Sequence, residues 1–109
     1  MVEETIKRFD IYLVKLNPTI GSEIQKTRPC IIISPNEMNV LNTVIVSPLT
    51  SKGFDFIFRP KINFEGKKGL ILLDQIRTVD KSRLLKKIGT VDIEKSKEIS
   101  STLVEIFKY

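Results

Sequence analysis

Histidine and tryptophan are absent from the 109 residues, and there is a single cysteine. Without histidine no Ser-His-Asp or Cys-His arrangement can form, and paired-imidazole acid/base catalysis is excluded. Any proton transfer must then use carboxylates, hydroxyls, lysines, water or the substrate itself. One cysteine rules out an intramolecular disulfide, and a four-ligand Cys/His zinc site has no ligands to use; no cofactor or metal is expected. Long apolar runs are also missing. The longest, Cys30 to Ile33 and Leu70 to Leu73, fall far below the roughly 18 residues that a bilayer span requires, so no membrane role is expected. Met1 to Asp10 carries Glu3, Glu4 and Asp10 without an apolar stretch. It does not read as a signal peptide, and a cytoplasmic address is the default.

What is present is an ordinary globular composition, 41% hydrophobic and 28% charged, of a length that fits one domain over 1–109. Lysine and arginine outnumber aspartate and glutamate 18 to 13, giving +5 and a pI near 9.4. That balance favours an anionic partner such as nucleic acid or an acidic protein segment. No repeat or linker divides the chain.

Phe9 to Leu16 is rich in β-branched and aromatic residues and stops at Asn17-Pro18, a strand followed by a turn. A polar loop, Asn17 to Thr27, leads to a buried strand over Arg28–Ser34. A short turn spans Asn36 to Asn42, and a third strand covers Thr43–Thr50. Phe54, Phe56 and Phe58 alternate with Asp55, Ile57 and Arg59, a period-two pattern that predicts a one-face strand. Gly66 and Gly69 bracket a turn before an apolar strand at Gly69–Arg77. A short helical connection at Val79–Leu85 and a last strand at Lys86–Val91 follow. From Asp92 the period changes: Ile99, Leu103, Ile106 and Phe107 share a helical face, with Asp92 as N-cap. No crossover helices separate the strands, so the fold expected is mainly β with α, a small antiparallel barrel or sheet closed by a C-terminal helix.

Three polar segments and the cysteine are candidates for chemistry. Gly21 to Pro29 is a loop that delivers Arg28, preceded by Thr27, to the start of a strand. Arginine is always protonated and holds a phosphate by two parallel hydrogen bonds; the structural alternative is an ion pair with Glu23 or Asp74. Ser47 to Lys52 places hydroxyls and a lysine at a strand end, where Thr50, Ser51 and Lys52 suit an oxyanion, although such residues also serve ordinary turns. Asp74 to Arg83 follows an apolar strand. Between Arg77 and Lys87 there are five basic residues, Arg83 among them, against one acid, Asp80. That stripe suits a phosphate backbone as well as a solvated face. Cys30, inside an isoleucine run, reads as a small core residue.

The phrases Phe9-Asp10-Ile11-Tyr12-Leu13-Val14, Asn17-Pro18-Thr19-Ile20-Gly21-Ser22-Glu23, Thr27-Arg28-Pro29-Cys30-Ile31-Ile32-Ile33-Ser34-Pro35, Pro48-Leu49-Thr50-Ser51 and Leu73-Asp74-Gln75-Ile76-Arg77-Thr78-Val79-Asp80 resemble successive blocks of the MazF/PemK/Kid toxins. They keep the family's order and spacing over nearly the whole chain. The resemblance implies an SH3-like barrel with a C-terminal helix. It also implies a homodimeric, metal-independent, sequence-selective endoribonuclease that is the toxin of a type II toxin–antitoxin pair. The neutralising partner implied is an acidic, partly disordered antitoxin. Arg28 carries over as the catalytic arginine, Thr50 as the catalytic threonine, and Glu23 as an acidic loop position implicated in some members. Gln75, Arg77 and Thr78 are implied to lie near the groove and contact RNA. One departure is visible: Phe9 stands where the family usually has glycine. A runner-up from another class is a non-catalytic toxin on the same barrel, like the CcdB proteins that trap DNA gyrase, or a plain nucleic-acid-binding module. Neither needs Arg28 and Thr50.

Overall fold

A computed structural model describes residues 5–109; Met1 to Glu4, part of the segment read above for a leader, lie outside the described residues. Among the described residues seven strands and one α-helix follow in order: β1 (Asp10–Lys15), β2 (Thr27–Ile32), β3 (Thr43–Thr50), β4 (Lys61–Phe64), β5 (Lys67–Ile71), β6 (Arg77–Asp80), β7 (Leu84–Thr90) and α1 (Ile93–Phe107). Every strand pair is antiparallel. The hydrogen-bonded order is β4-β5-β3-β2-β1-β7, with β6 also on β3.

The eight-residue β3 is the axis of this arrangement. Its first half, Thr43 to Val46, pairs with β6, and its end, Leu49 and Thr50, pairs with β5. A 3-10 turn at Leu73–Gln75 carries the chain from one partner to the other. The sheet thereby curls into a half-barrel. Its outer strands meet through side chains: a β-carbon on Gly89 of β7 would lie 3.2 Å from the Phe64 ring of β4.

Strands β1 and β2 are apolar almost throughout because both of their faces are covered. Ile11, Ile31 and Leu49 join Ile99 of the helix on one face. Tyr12, Val14, Cys30 and Val46 form a second cluster with Val79. Successive side chains of a strand point to opposite faces, so neighbours such as Ile31 and Ile32 serve different clusters. Cys30 is fully buried, and burial pushes its thiol up to about 12, opposed by the charge of Arg77. A thiol so hard to ionise is no nucleophile at neutral pH.

Helix α1 starts where expected, with Asp92 Oδ1 accepting from the Lys95 amide at 2.8 Å. Ile99 is fully buried, and Leu103 and Ile106 pack on the same cluster. Phe107 departs from the expected face and is 70% exposed. At 3.6 residues per turn it stands about 80° round from Ile99, whereas Ile106 is about 20° away.

Two strand expectations fail. The alternating Phe54, Phe56 and Phe58 lie in the loop between β3 and β4, because their rings pack on one another rather than on the sheet. The strand expected at Gly69–Arg77 is broken by the turn at Leu73–Gln75, and the hairpin partner β4 had no signal of its own. Its turn is Glu65-Gly66, both at positive φ, 52° and 76°, the geometry of a two-residue hairpin. Phe9, the position noted as usually glycine, has φ 71°, the left-handed region where a bulky residue is strained. Its ring packs against the core, with the Arg8 guanidinium 5.0 Å above it.

Candidate active site

Arg28, near the start of β2, and Thr50, at the end of β3, line one hollow of about 240 Å³ together with Ser51, Phe64 and Lys67. Strands β2 and β3 are hydrogen-bonded neighbours with Cys30 opposite Pro48, and this register brings the arginine beside the threonine. Arg28 is half-buried, and its Nε donates to the carbonyl of Gln25 at 3.1 Å. The terminal nitrogens are left for a ligand. Neither suggested carboxylate partner takes them: Asp74 is bound to Arg59, and Glu23 Oε1 accepts from the Ile20 amide at 2.6 Å. Among the described residues Arg28 forms no ion pair. Thr50 is buried, its Oγ1 accepting from the Lys52 amide at 3.1 Å, which leaves its proton to donate.

Thr50 owes its position to a close approach. A β-carbon on Gly69 of β5 would stand 2.8 Å from the Thr50 carbonyl oxygen, so only glycine lets β5 lie this near the end of β3.

A second hollow holds Glu23, Gln75 and Arg77, with Ser22 and Asp74. Glu23 therefore lies apart from the hollow of Arg28 and Thr50. Gln75 spans to the β1–β2 loop, accepting from the Ile24 amide at 2.7 Å and donating to the Ser22 carbonyl at 3.5 Å. Arg77 donates to the Leu16 carbonyl at 3.1 Å, and Arg83 to the carbonyls of Lys15 and Asn17. These three side chains fasten the loop that carries Glu23 and leads to Arg28. The sequence singled them out for charge and polarity, but nothing in it indicated that their partners are backbone carbonyls and an amide. Ser51 and Lys52 line a third hollow adjoining the first. Thr27 and Thr78 are exposed, Thr27 opposite Lys15 and Thr78 opposite Ile45.

Asp74 anchors the β3–β4 loop through both oxygens, each 2.9 Å from Arg59. The Arg59 hydrogen bonds hold its carboxyl below the ordinary value near 3.8, against the opposing effect of burial. Stabilisation from this pair is therefore present above about pH 4 and lost as pH falls through the lower folded value. Melting temperatures of the wild type and Asp74→Asn are expected to differ at pH 6 and to converge in strong acid. A difference that persists unchanged in acid would show that the pair is not its source.

Among the described residues no three histidine, cysteine, aspartate or glutamate side chains are grouped to hold a metal ion. Among them, too, no helix is long and apolar enough to cross a membrane.

Residues 7–107 match the family model of the PemK-like, MazF-like toxin of type II toxin–antitoxin systems. The chain belongs to this family. A relative from Staphylococcus saprophyticus, the endoribonuclease MazF, is 34% identical over 105 residues, covering 90% of this chain and 88% of its own length. Among solved structures, MazF from Deinococcus radiodurans superposes with a TM-score of 0.86 at 21% identity, over 98% of this chain and all of that one. An endoribonuclease in complex with its cognate antitoxin, from a mycobacterial species, gives 0.77 at 20% identity, over 92% of both chains. At such identities these structures establish the MazF fold. Family membership decides against the gyrase-trapping alternative.

Proposed function

We infer that this MazF-family toxin is an endoribonuclease that cuts single-stranded RNA, without a metal ion and at selected sequences, in the hollow of Arg28 and Thr50. One observation carries the reading: a half-buried arginine, paired with no carboxylate among the described residues, stands beside a buried hydroxyl whose oxygen is already occupied as an acceptor. Metal-free cleavage has the RNA attack itself. The 2′-oxygen bonds to phosphorus as the 5′-oxygen leaves, giving a 2′,3′-cyclic phosphate and a 5′-hydroxyl. The 2′ proton is taken up by a base, and the leaving 5′-oxygen gains its proton from solvent water. Arg28 holds the charge that builds on the phosphorane, and Thr50 donates to a non-bridging oxygen. Glu23, carried by the β1–β2 loop in the neighbouring hollow, takes the 2′ proton once the bound strand spans both hollows. Thr27, Ser51, Lys52, Gln75, Arg77, Thr78 and Arg83 support the strand on either side, three of them through the loop they hold.

The toxin acts as a cytoplasmic homodimer. Its partner is an antitoxin, as in the mycobacterial complex, acidic and partly disordered, laid over the same positive groove.

Purified protein incubated with a long single-stranded RNA and excess EDTA is expected to give discrete fragments with cyclic phosphate ends. A 2′-deoxy nucleotide at a mapped site should abolish that cut. Binding should weaken with salt, by a log–log slope of roughly −0.7 per phosphate contacted. The antitoxin should compete with RNA, and the sedimenting mass should be twice the 12.5 kDa of one chain. Cleavage that vanishes in EDTA and returns with magnesium would sink the metal-free mechanism. Binding that ignores salt would sink the backbone contacts.

A further inference from the structure

The loop from Ser51 to Pro60 begins at the residue after Thr50 and exposes three large apolar side chains, Phe54 at 70%, Phe56 at 44% and Ile57 at 81%. Two of them are organised. The rings of Phe54 and Phe56 meet edge to face with centroids 6.4 Å apart, and Phe56 meets the half-buried Phe58 in the same way at 5.8 Å. The Arg59 guanidinium lies 5.5 Å from the Phe54 centroid and 5.9 Å from that of Phe56, and Asp74 fixes it by two hydrogen bonds. A clamped cation under two exposed rings is a preorganised surface, and none of these rings belongs to either core cluster.

We propose that Phe54 and Phe56 form a stacking platform for nucleobases of the RNA strand that runs through the Arg28–Thr50 hollow. The inference rests on reading that hollow as the cleavage site. Continuity argues for RNA as the occupant. The same loop lines a hollow with Ser51, Lys52 and Gly53 that shares Ser51, Lys68 and Gly69 with the hollow of Arg28. At its other end Arg59 is tied to Asp74, which lines the hollow of Glu23 and Arg77. The loop therefore runs from one part of the site to the other. Charge argues the same way: Lys52, Lys61, Lys68 and Lys95 line the adjoining hollow against Asp55 and Asp92, and Asp55 is paired with Lys61 at 3.4 Å. Aromatic faces beside a cationic track are how single strands are held, bases on rings and phosphates on lysines. An acidic polypeptide would use the lysines but has no general need for flat faces backed by arginine.

The test reads binding, apart from cleavage. A 12-nucleotide 2′-O-methyl oligomer, which cannot be cut, is compared with an abasic oligomer of the same backbone. The wild type is expected to prefer the oligomer with bases by about 25-fold or more, two rings at roughly 5-fold or more each. Changing both rings, Phe54→Ala with Phe56→Ala, should remove most of that preference, roughly 5- to 160-fold for each ring, and leave abasic binding unchanged. Phe56→Trp should keep the preference and Phe56→Leu should lose it, which separates stacking from simple apolar contact. A double variant that keeps the wild-type preference would overturn the platform. So would one that loses both oligomers equally, or one whose sedimenting mass changes while the preference stays, because the rings would then face a second copy. Wild-type protein that shows the base preference but never cuts RNA would sink the nuclease reading and leave the platform standing.

Discussion

Arg28→Ala and Thr50→Val are each expected to slow RNA cleavage by roughly 100- to 1,000-fold, the usual cost of losing one donor that faces developing charge. Binding of uncleavable RNA should fall far less, since many other basic groups hold the backbone. Arg28→Lys should not restore the rate, because an ammonium cannot supply two parallel hydrogen bonds. Among the described residues the arginine has no carboxylate partner to strand, so its removal should leave melting temperature nearly unchanged. A folded Arg28→Ala protein that cuts near the wild-type rate would end the assignment. Glu23→Gln separates two roles of that side chain. The amide oxygen can still accept from Ile20, as Glu23 Oε1 does, but it cannot take a proton. A loss of about 100-fold is expected if it is the base, and an unchanged rate would reduce Glu23 to a loop cap.

Gly69→Ala is expected to damage catalysis without removing a polar group. The added methyl would stand 2.8 Å from the Thr50 carbonyl oxygen, well inside van der Waals contact, at the register where Thr50 faces Leu70. Relief requires β5 and the end of β3 to separate. Overpacking of this kind costs about 1–3 kcal/mol, and a displacement approaching 1 Å at a catalytic group costs about 100-fold in rate. Both losses should appear together, as a lower melting temperature and a lower single-turnover rate. A variant with unchanged rate and stability would mean that Thr50 does not depend on this approach.

The parts of the fold that the sequence revealed are those in which side-chain pattern and local chemistry agree. Strand β3 runs over Thr43–Thr50 as expected, and Asp92 caps the helix as its position suggested. The Phe54–Phe58 alternation misled because a period of two says only that residues share a side, and this side faces its own rings and Arg59 instead of a sheet. Leu70 to Leu73 reads as one strand because burial is continuous, yet the chain turns inside it to reach a different partner on β3. At the site, the resemblance singled out Arg28 and Thr50, and the structure brings the two into one hollow. The fastening of the β1–β2 loop by Gln75, Arg77 and Arg83 was not legible. A hydrogen bond to a backbone carbonyl more than 50 residues away leaves no trace in local pattern.

The side-chain seam between Phe64 and Gly89 bears on how substrate gets in. Among the described residues the ladder ends at β4 and β7, so the hairpin of β4 and β5 is hinged along β3 and rests on β7 through an aromatic ring. Phe64 and Lys67 of that hairpin also wall the hollow of Thr50. Rocking the hairpin outward breaks van der Waals contacts at the seam and no backbone hydrogen bond there. That wall of the hollow is therefore held on one side by ladder hydrogen bonds to Leu49 and Thr50 and on the other by side-chain contact alone.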